Sequence, residues 1–89
     1  MVSDWLSVQR HTAVPIETRG LLAEPHRGGV RLLGAAKVKH HNRRVLSEML
    51  GLDPGAVQLV EGDVGGGFGP RGELYPEEFL ISWLALRLG

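Results

Sequence analysis

Eleven residues, Gly62-Asp63-Val64-Gly65-Gly66-Gly67-Phe68-Gly69-Pro70-Arg71-Gly72, hold six of the chain's 13 glycines. No regular element runs comfortably through such a stretch. Glycine loses the most backbone freedom on folding, so a cluster costs stability unless left-handed dihedrals or close approach of a ligand to the main chain require it. The cluster splits the 89 residues into a long N-terminal part and a short C-terminal one, joined by a loop that is either a tight link or a ligand contact.

The first third, through Ala36, has no long helical period. Pro15, Gly20, Pro25 and the pair Gly28-Gly29 punctuate it. They leave Leu21-Leu22-Ala23 and Val30-Arg31-Leu32-Leu33 as short strands, with His26-Arg27-Gly28-Gly29 as a hairpin turn between them. From Lys39 to Leu50 the apolar residues Val45, Leu46, Met49 and Leu50 recur at helical spacing, and Gly51 stands where a C-cap glycine belongs. Asp53-Pro54-Gly55 supplies a turn, and Ala56-Val57-Gln58-Leu59-Val60 reads as a strand feeding the glycine loop.

Beyond the loop, Pro76 suits the first helical position, and Glu77 and Glu78 favour the positive end of the helix dipole. This helix is expected to run to Leu88. Its apolar residues Phe79, Leu80, Trp83, Leu84 and Leu88, joined by Ile81, Ala85 and Leu86, predict burial on more than one side. Trp5 and Trp83 read as packing anchors. The fold class is α+β in a single small domain or fragment spanning residues 1–89: hairpin, helix, strand, glycine-rich loop, C-terminal helix. An 89-residue chain buries only somewhat more than ~60% of the surface its unfolded form exposes, so its core is thin and an apolar helix wants more protein around it.

Composition excludes several classes. With 43% hydrophobic and 22% charged residues the chain is expected to fold rather than stay disordered. The absence of cysteine rules out a disulfide framework and a thiolate metal site. No apolar run is long enough to span a bilayer, and the opening MVSDWLSVQR lacks the order of a signal peptide, so a cytoplasmic protein is expected. Zero net charge argues against nucleic-acid or membrane partners, although Lys37, Lys39, Arg43 and Arg44 cluster beside His40 and His41. That cluster reads either as a solvated helix face or as a patch steering an anion.

Gly67-Phe68-Gly69-Pro70-Arg71-Gly72 satisfies G-x-G-x-x-G after a strand, yet it fails as a dinucleotide fingerprint. Pro70 interrupts it, the helix opens only near Pro76, and no room remains for an acidic residue about 20 positions on. Without Gly-Lys-Ser/Thr it is no P-loop either. What it offers is a run of amides without side-chain cover, suited to an anion or the polar edge of a cofactor. His11, His26, His40 and His41 lack metal-ligand spacing, no serine has a nucleophile setting, and Glu17 beside Arg19 reads as structural.

Three stretches together resemble a known family. Val64-Gly65-Gly66-Gly67-Phe68-Gly69 with Arg71-Gly72-Glu73-Leu74-Tyr75-Pro76-Glu77-Glu78 is similar to the molybdenum-cofactor segment of xanthine dehydrogenase, aldehyde oxidase and carbon monoxide dehydrogenase large subunits. The stretch from Gln9 to Gly20 resembles the family's Pro-x-Glu stretch, and that from Asn42 to Leu52 the helix ahead of its Val-Gln-Leu-Val strand.

The resemblance implies a molybdopterin cofactor contacted by Gly66, Gly67, Phe68 and Gly69, whose amides are preorganised donors. Lys37 stands where the family has a glutamine approaching the metal. Arg71, with Glu73 two places later, falls where some members bind substrate. The resemblance further implies iron–sulfur and flavin partner subunits and the remainder of the molybdenum subunit. The family's catalytic glutamate and most of its pocket lie beyond the point matching Gly89. The chain is therefore expected to be an N-terminal fragment of the first cofactor domain of such a large subunit, inactive alone and not retaining the cofactor by itself. The alternative is a stand-alone, non-enzymatic α+β module whose loop is a weak ligand site or purely structural.

Overall fold

Arg27 and Gly28 both take positive φ, 49° and 76°, as a two-residue type I′ hairpin turn requires. The turn joins β1 (Leu21–His26) to β2 (Gly29–Gly34), which pair antiparallel with Leu22 opposite Leu33 and Glu24 opposite Arg31. The computed structural model describes residues 1–34 and 37–89. Ala35 and Ala36, in the stretch matched to the family's glutamine-bearing segment, lie outside the described residues. A third strand, β3 (Val57–Val60), lies parallel to β2 with Val30 opposite Val57, giving a sheet of order β1-β2-β3.

A parallel neighbour cannot follow a tight turn, and the return path here is the helix α1 (Lys39–Leu50). It ends as the sequence predicts. Gly51 is left-handed at φ 68°, its N–H donates to the Glu48 carbonyl, and the Leu52 N–H donates to that of Ser47, the double closure of a Schellman motif. The strand starts one residue later than expected because Ala56 belongs to a short 3-10 turn, residues 54–56, capped by the Asp53 carboxylate on the Gly55 N–H at 2.8 Å.

The second helix, α2 (Pro76–Leu88), follows the glycine loop, with Pro76 at its first position and Glu78 accepting the Tyr75 N–H at 2.8 Å. It packs on β1 and β2 while α1 packs on β3, and the two helices touch, so both cover one face of the sheet. Between the layers lie Val30, Leu32, Leu46 and Val57, the fully buried apolar core, with Leu59, Phe79, Ile81 and Leu86 packed around it. On the opposite face Glu24, Arg31 and Gln58 form a hydrogen-bonded row across all three strands, at 2.8 and 2.9 Å.

Two expectations are corrected. The helix α2 is not covered on more than one side: Leu80, Trp83, Leu84 and Leu88 are exposed, because one three-stranded sheet offers a single face to pack against. Neither tryptophan anchors the core. Trp5 is 88% exposed, in a segment, residues 1–14, that carries no regular element, and Trp83 carries the Arg87 guanidinium over its ring at 5.1 Å.

Candidate functional site

The loop leaves β3 at Glu61 and reaches α2 through a short 3-10 turn, residues 70–72. Gly66 and Gly69 take φ of 103° and 91°, dihedrals closed to ordinary L residues. At Gly66 bare backbone is also a steric demand. A Cβ there would come within 2.3 Å of the Phe68 ring, which folds over it. Phe68 itself takes a positive φ of 51° and keeps its side chain 70% exposed. For a bulky residue that conformation is strained and persists only where the surroundings impose it.

Those surroundings come from far away in sequence. The Glu17 carboxylate accepts the Gly65 N–H and lies 3.5 Å from the Arg71 guanidinium. Arg71 is buried, and its Nη2 donates to the Glu17 and Thr18 carbonyls. Two residues on, Arg19 stacks over the Tyr75 ring at 3.8 Å and donates to both Glu78 carboxylate oxygens at 3.2 and 3.4 Å. The Tyr75 hydroxyl in turn donates to the Pro70 carbonyl at 2.7 Å. Residues 17–19 thus strap the loop to the start of α2, each contact closing on a neighbour of the next.

On the other flank Glu61 sits between two ammonium groups, Lys37 Nζ at 3.5 Å and Lys39 Nζ at 3.3 Å. Desolvation pushes its carboxyl upward. The hydrogen bonds and charges of Lys39 and Lys37 outweigh it and hold the group below its ordinary value. The Lys37 main chain donates to the Arg71 carbonyl at 3.3 Å, and its side chain runs beside Gly67, where a Cβ would meet its methylenes at 3.5–3.6 Å.

The structure therefore brings Lys37, Gly66, Gly67 and Arg71 into one cluster, with Phe68 and Gly69 at its rim. Glu73 stands apart: it is exposed, and among the described residues no cation pairs with it. Sequence reasoning passed over Glu61, whose partners lie more than 20 positions upstream. It read Glu17 as structural, and its partners Gly65 and Arg71 lie 48 and 54 positions away, beyond the reach of any local pattern. Among the described residues no group of three or more His, Asp or Glu side chains comes together. Lys39, His40 and Arg43 instead join His26 and Arg27 around an open cleft on the β3 side.

The cluster is suited to a polar, anionic group. Among the described residues no acceptor pairs with the N–H groups of Gly66, Gly67, Phe68 or Gly69. Behind the loop the buried Arg71 Nε lacks a hydrogen-bond partner among the described residues, and Glu61 Oε1 has only the Lys37 ammonium at 3.5 Å. Uncovered amides beside a lysine are a fitting cradle for phosphate or a pterin edge.

Comparison with known proteins gives a consistent result. The family model of the molybdopterin cofactor-binding domain matches residues 1–89. The chain is 35% identical over 82 residues to the 6-hydroxypseudooxynicotine dehydrogenase complex subunit gamma of Paenarthrobacter nicotinovorans, covering 90% of this chain and 10% of that one. Against the nicotine 6-hydroxylase large subunit of the same organism it is 35% identical over 74 residues, 81% of this chain and 9% of the other. Against the carbon monoxide dehydrogenase large chain of Hydrogenophaga pseudoflava it is 32% identical over 77 residues, 84% and 10%. The chain thus spans about a tenth of the length of the curated relatives it matches. No solved structure matches.

Proposed function

The chain belongs to the molybdopterin cofactor-binding domain family, and on that premise we propose that it is the N-terminal fragment of the first cofactor domain of a molybdenum hydroxylase large subunit, contributing the Gly-Gly-Phe-Gly loop to the cofactor site. The observation that carries this reading is the run of unpartnered amides at residues 66–69, held from behind by the Glu17 and Arg71 strap. When bound, a molybdopterin centre supplies the oxidation chemistry. This chain's residues do the holding: the amides of Gly66, Gly67, Phe68 and Gly69 donate to a polar edge, and the Lys37 ammonium offsets negative charge beside Gly67. Exposed Glu73 and buried Arg71 are, in this proposal, the residues turned to substrate, Glu73 by direct contact and Arg71 by holding the loop from behind.

The matched segment spans about a tenth of the curated relatives' length, and we propose that it is inactive alone and binds the cofactor stably only with the rest of the subunit. Iron–sulfur and flavin partners and a cytoplasmic setting belong to the same proposal. Among the described residues no helix is long and apolar enough to cross a membrane. The test is to add molybdopterin cytosine dinucleotide to the isotope-labelled chain, with and without the rest of a large subunit, and follow the amide resonances of Gly65, Gly66, Gly67 and Gly69. Shifts confined to the loop are expected, and Gly66→Ala is expected to abolish them. A loop that responds to neither addition removes the cofactor reading and favours the stand-alone module.

A further inference from the structure

The residues Leu80, Leu84 and Leu88 of α2 recur at intervals of four with Trp83 beside them, and all four are exposed, Leu80 at 52% and Leu88 at 81%. They form a second apolar stripe, separate from Phe79, Ser82 and Leu86, which turn toward the sheet side. Leu84 and Leu88 line an open groove of about 430 Å³ with Leu21, Leu22, Ala23 and Pro25 of β1. Glu24 is its one charged lining residue. Soluble chains rarely leave a contiguous apolar surface of this kind without an occupant.

β1 is also a sheet edge. The two-residue turn makes His26 and Gly29 the first hydrogen-bonded pair, so by alternation Leu21, Ala23 and Pro25 direct their main-chain groups away from β2. Pro25 has no N–H, which blunts that end, while Leu21 and Ala23 keep free donors and acceptors beside the groove.

We propose that this face, the outer stripe of α2 with the Leu21–Ala23 half of the β1 edge, seats an apolar segment of the remaining molybdenum subunit, laid along the groove as an added strand. The inference rests on the family reading above. The matched relatives carry about nine-tenths of their length outside the matched segment, so a chain of ample size is available to cover it. A second copy of this chain fits less well. Pairing β1 with β1 would bring in the missing Pro25 donor twice, whereas a foreign strand needs only the Leu21–Ala23 half.

The experiment co-expresses the tagged 89-residue chain with the nicotine 6-hydroxylase large subunit lacking its matched 74 residues. Recovery of a 1:1 complex is expected, with the Trp83 indole resonance shifted. Replacing Leu84 and Leu88 together by Glu is expected to cut recovery at least tenfold, with the circular dichroism spectrum unchanged because both side chains are already exposed. Met49→Ala, exposed on α1 and outside both the groove and the loop, is expected to leave recovery intact, while the loop is read separately through the amide resonances of Gly65 to Gly69, so a docking failure and a loop failure separate. A complex indifferent to the double substitution, no complex at all, or a dimer of the chain alone that the same substitutions dissociate would each overturn the proposal.

Discussion

Two lysines converge on Glu61 from one side of the loop, and the consequence is a pH-dependent tie. A carboxyl whose folded value lies below its ordinary 4.5 stabilises the fold fully above that value and loses the contribution as pH falls through the folded one. We expect Glu61→Gln to lower the urea midpoint slightly at neutral pH and to flatten the fall in stability between about pH 5 and pH 3. Urea titrations at several pH values check it; equal acid sensitivity of both proteins would show that other carboxylates dominate. At this scale the sequence was half legible. The glycines and Phe68 announce themselves through a motif, whereas Glu17 meets Arg71 and Gly65, and Lys37 meets Glu61, only after the chain has folded. No local pattern encodes a pair separated by 48 positions.

Elements were the most legible level, because each carries its own punctuation. Gly28, Gly51 and Pro76 sit at the turn, cap and helix start that their backbone preferences dictate. What local preference could not give was which faces meet. Leu46 of α1 is fully buried between Val30 and Val57 on the sheet and α2, so Leu46→Ala is expected to cost about 2–5 kcal/mol. Chemical denaturation would measure it, with Met49→Ala, on the exposed side of the same helix, as the small-effect control. The misreading of α2 has the same origin. A helix that is apolar all round tells of burial, but not of whether the burying surface lies within these 89 residues.

Across the whole molecule, four apolar residues among the described ones are buried, a small core even for its size. Residues 1–10 add nothing to it: Trp5, Leu6 and Val8 are exposed, and the hydrogen bonds within this stretch are local, as from the Trp5 N–H to Asp4 at 2.8 Å. Deleting them is expected to move the denaturation midpoint by less than about 0.5 kcal/mol equivalent, whereas a deletion reaching Arg19 is expected to loosen the loop. Amide exchange at Gly65 and Gly66 distinguishes the two truncations. Composition set the size of the core, but not how the strap, loop and second helix share it.

The two indoles give the molecule an optical property of its own. Trp5 in the N-terminal stretch is 88% exposed and Trp83 on the outer stripe of α2 is 40% exposed beneath the Arg87 guanidinium, so unfolding is expected to shift the summed emission only modestly. Covering Trp83 would do the opposite and move its emission to shorter wavelength. With Trp5 replaced by Phe, the remaining indole becomes a reporter of whatever settles on that face, its emission moving to shorter wavelength on docking and to longer wavelength on unfolding.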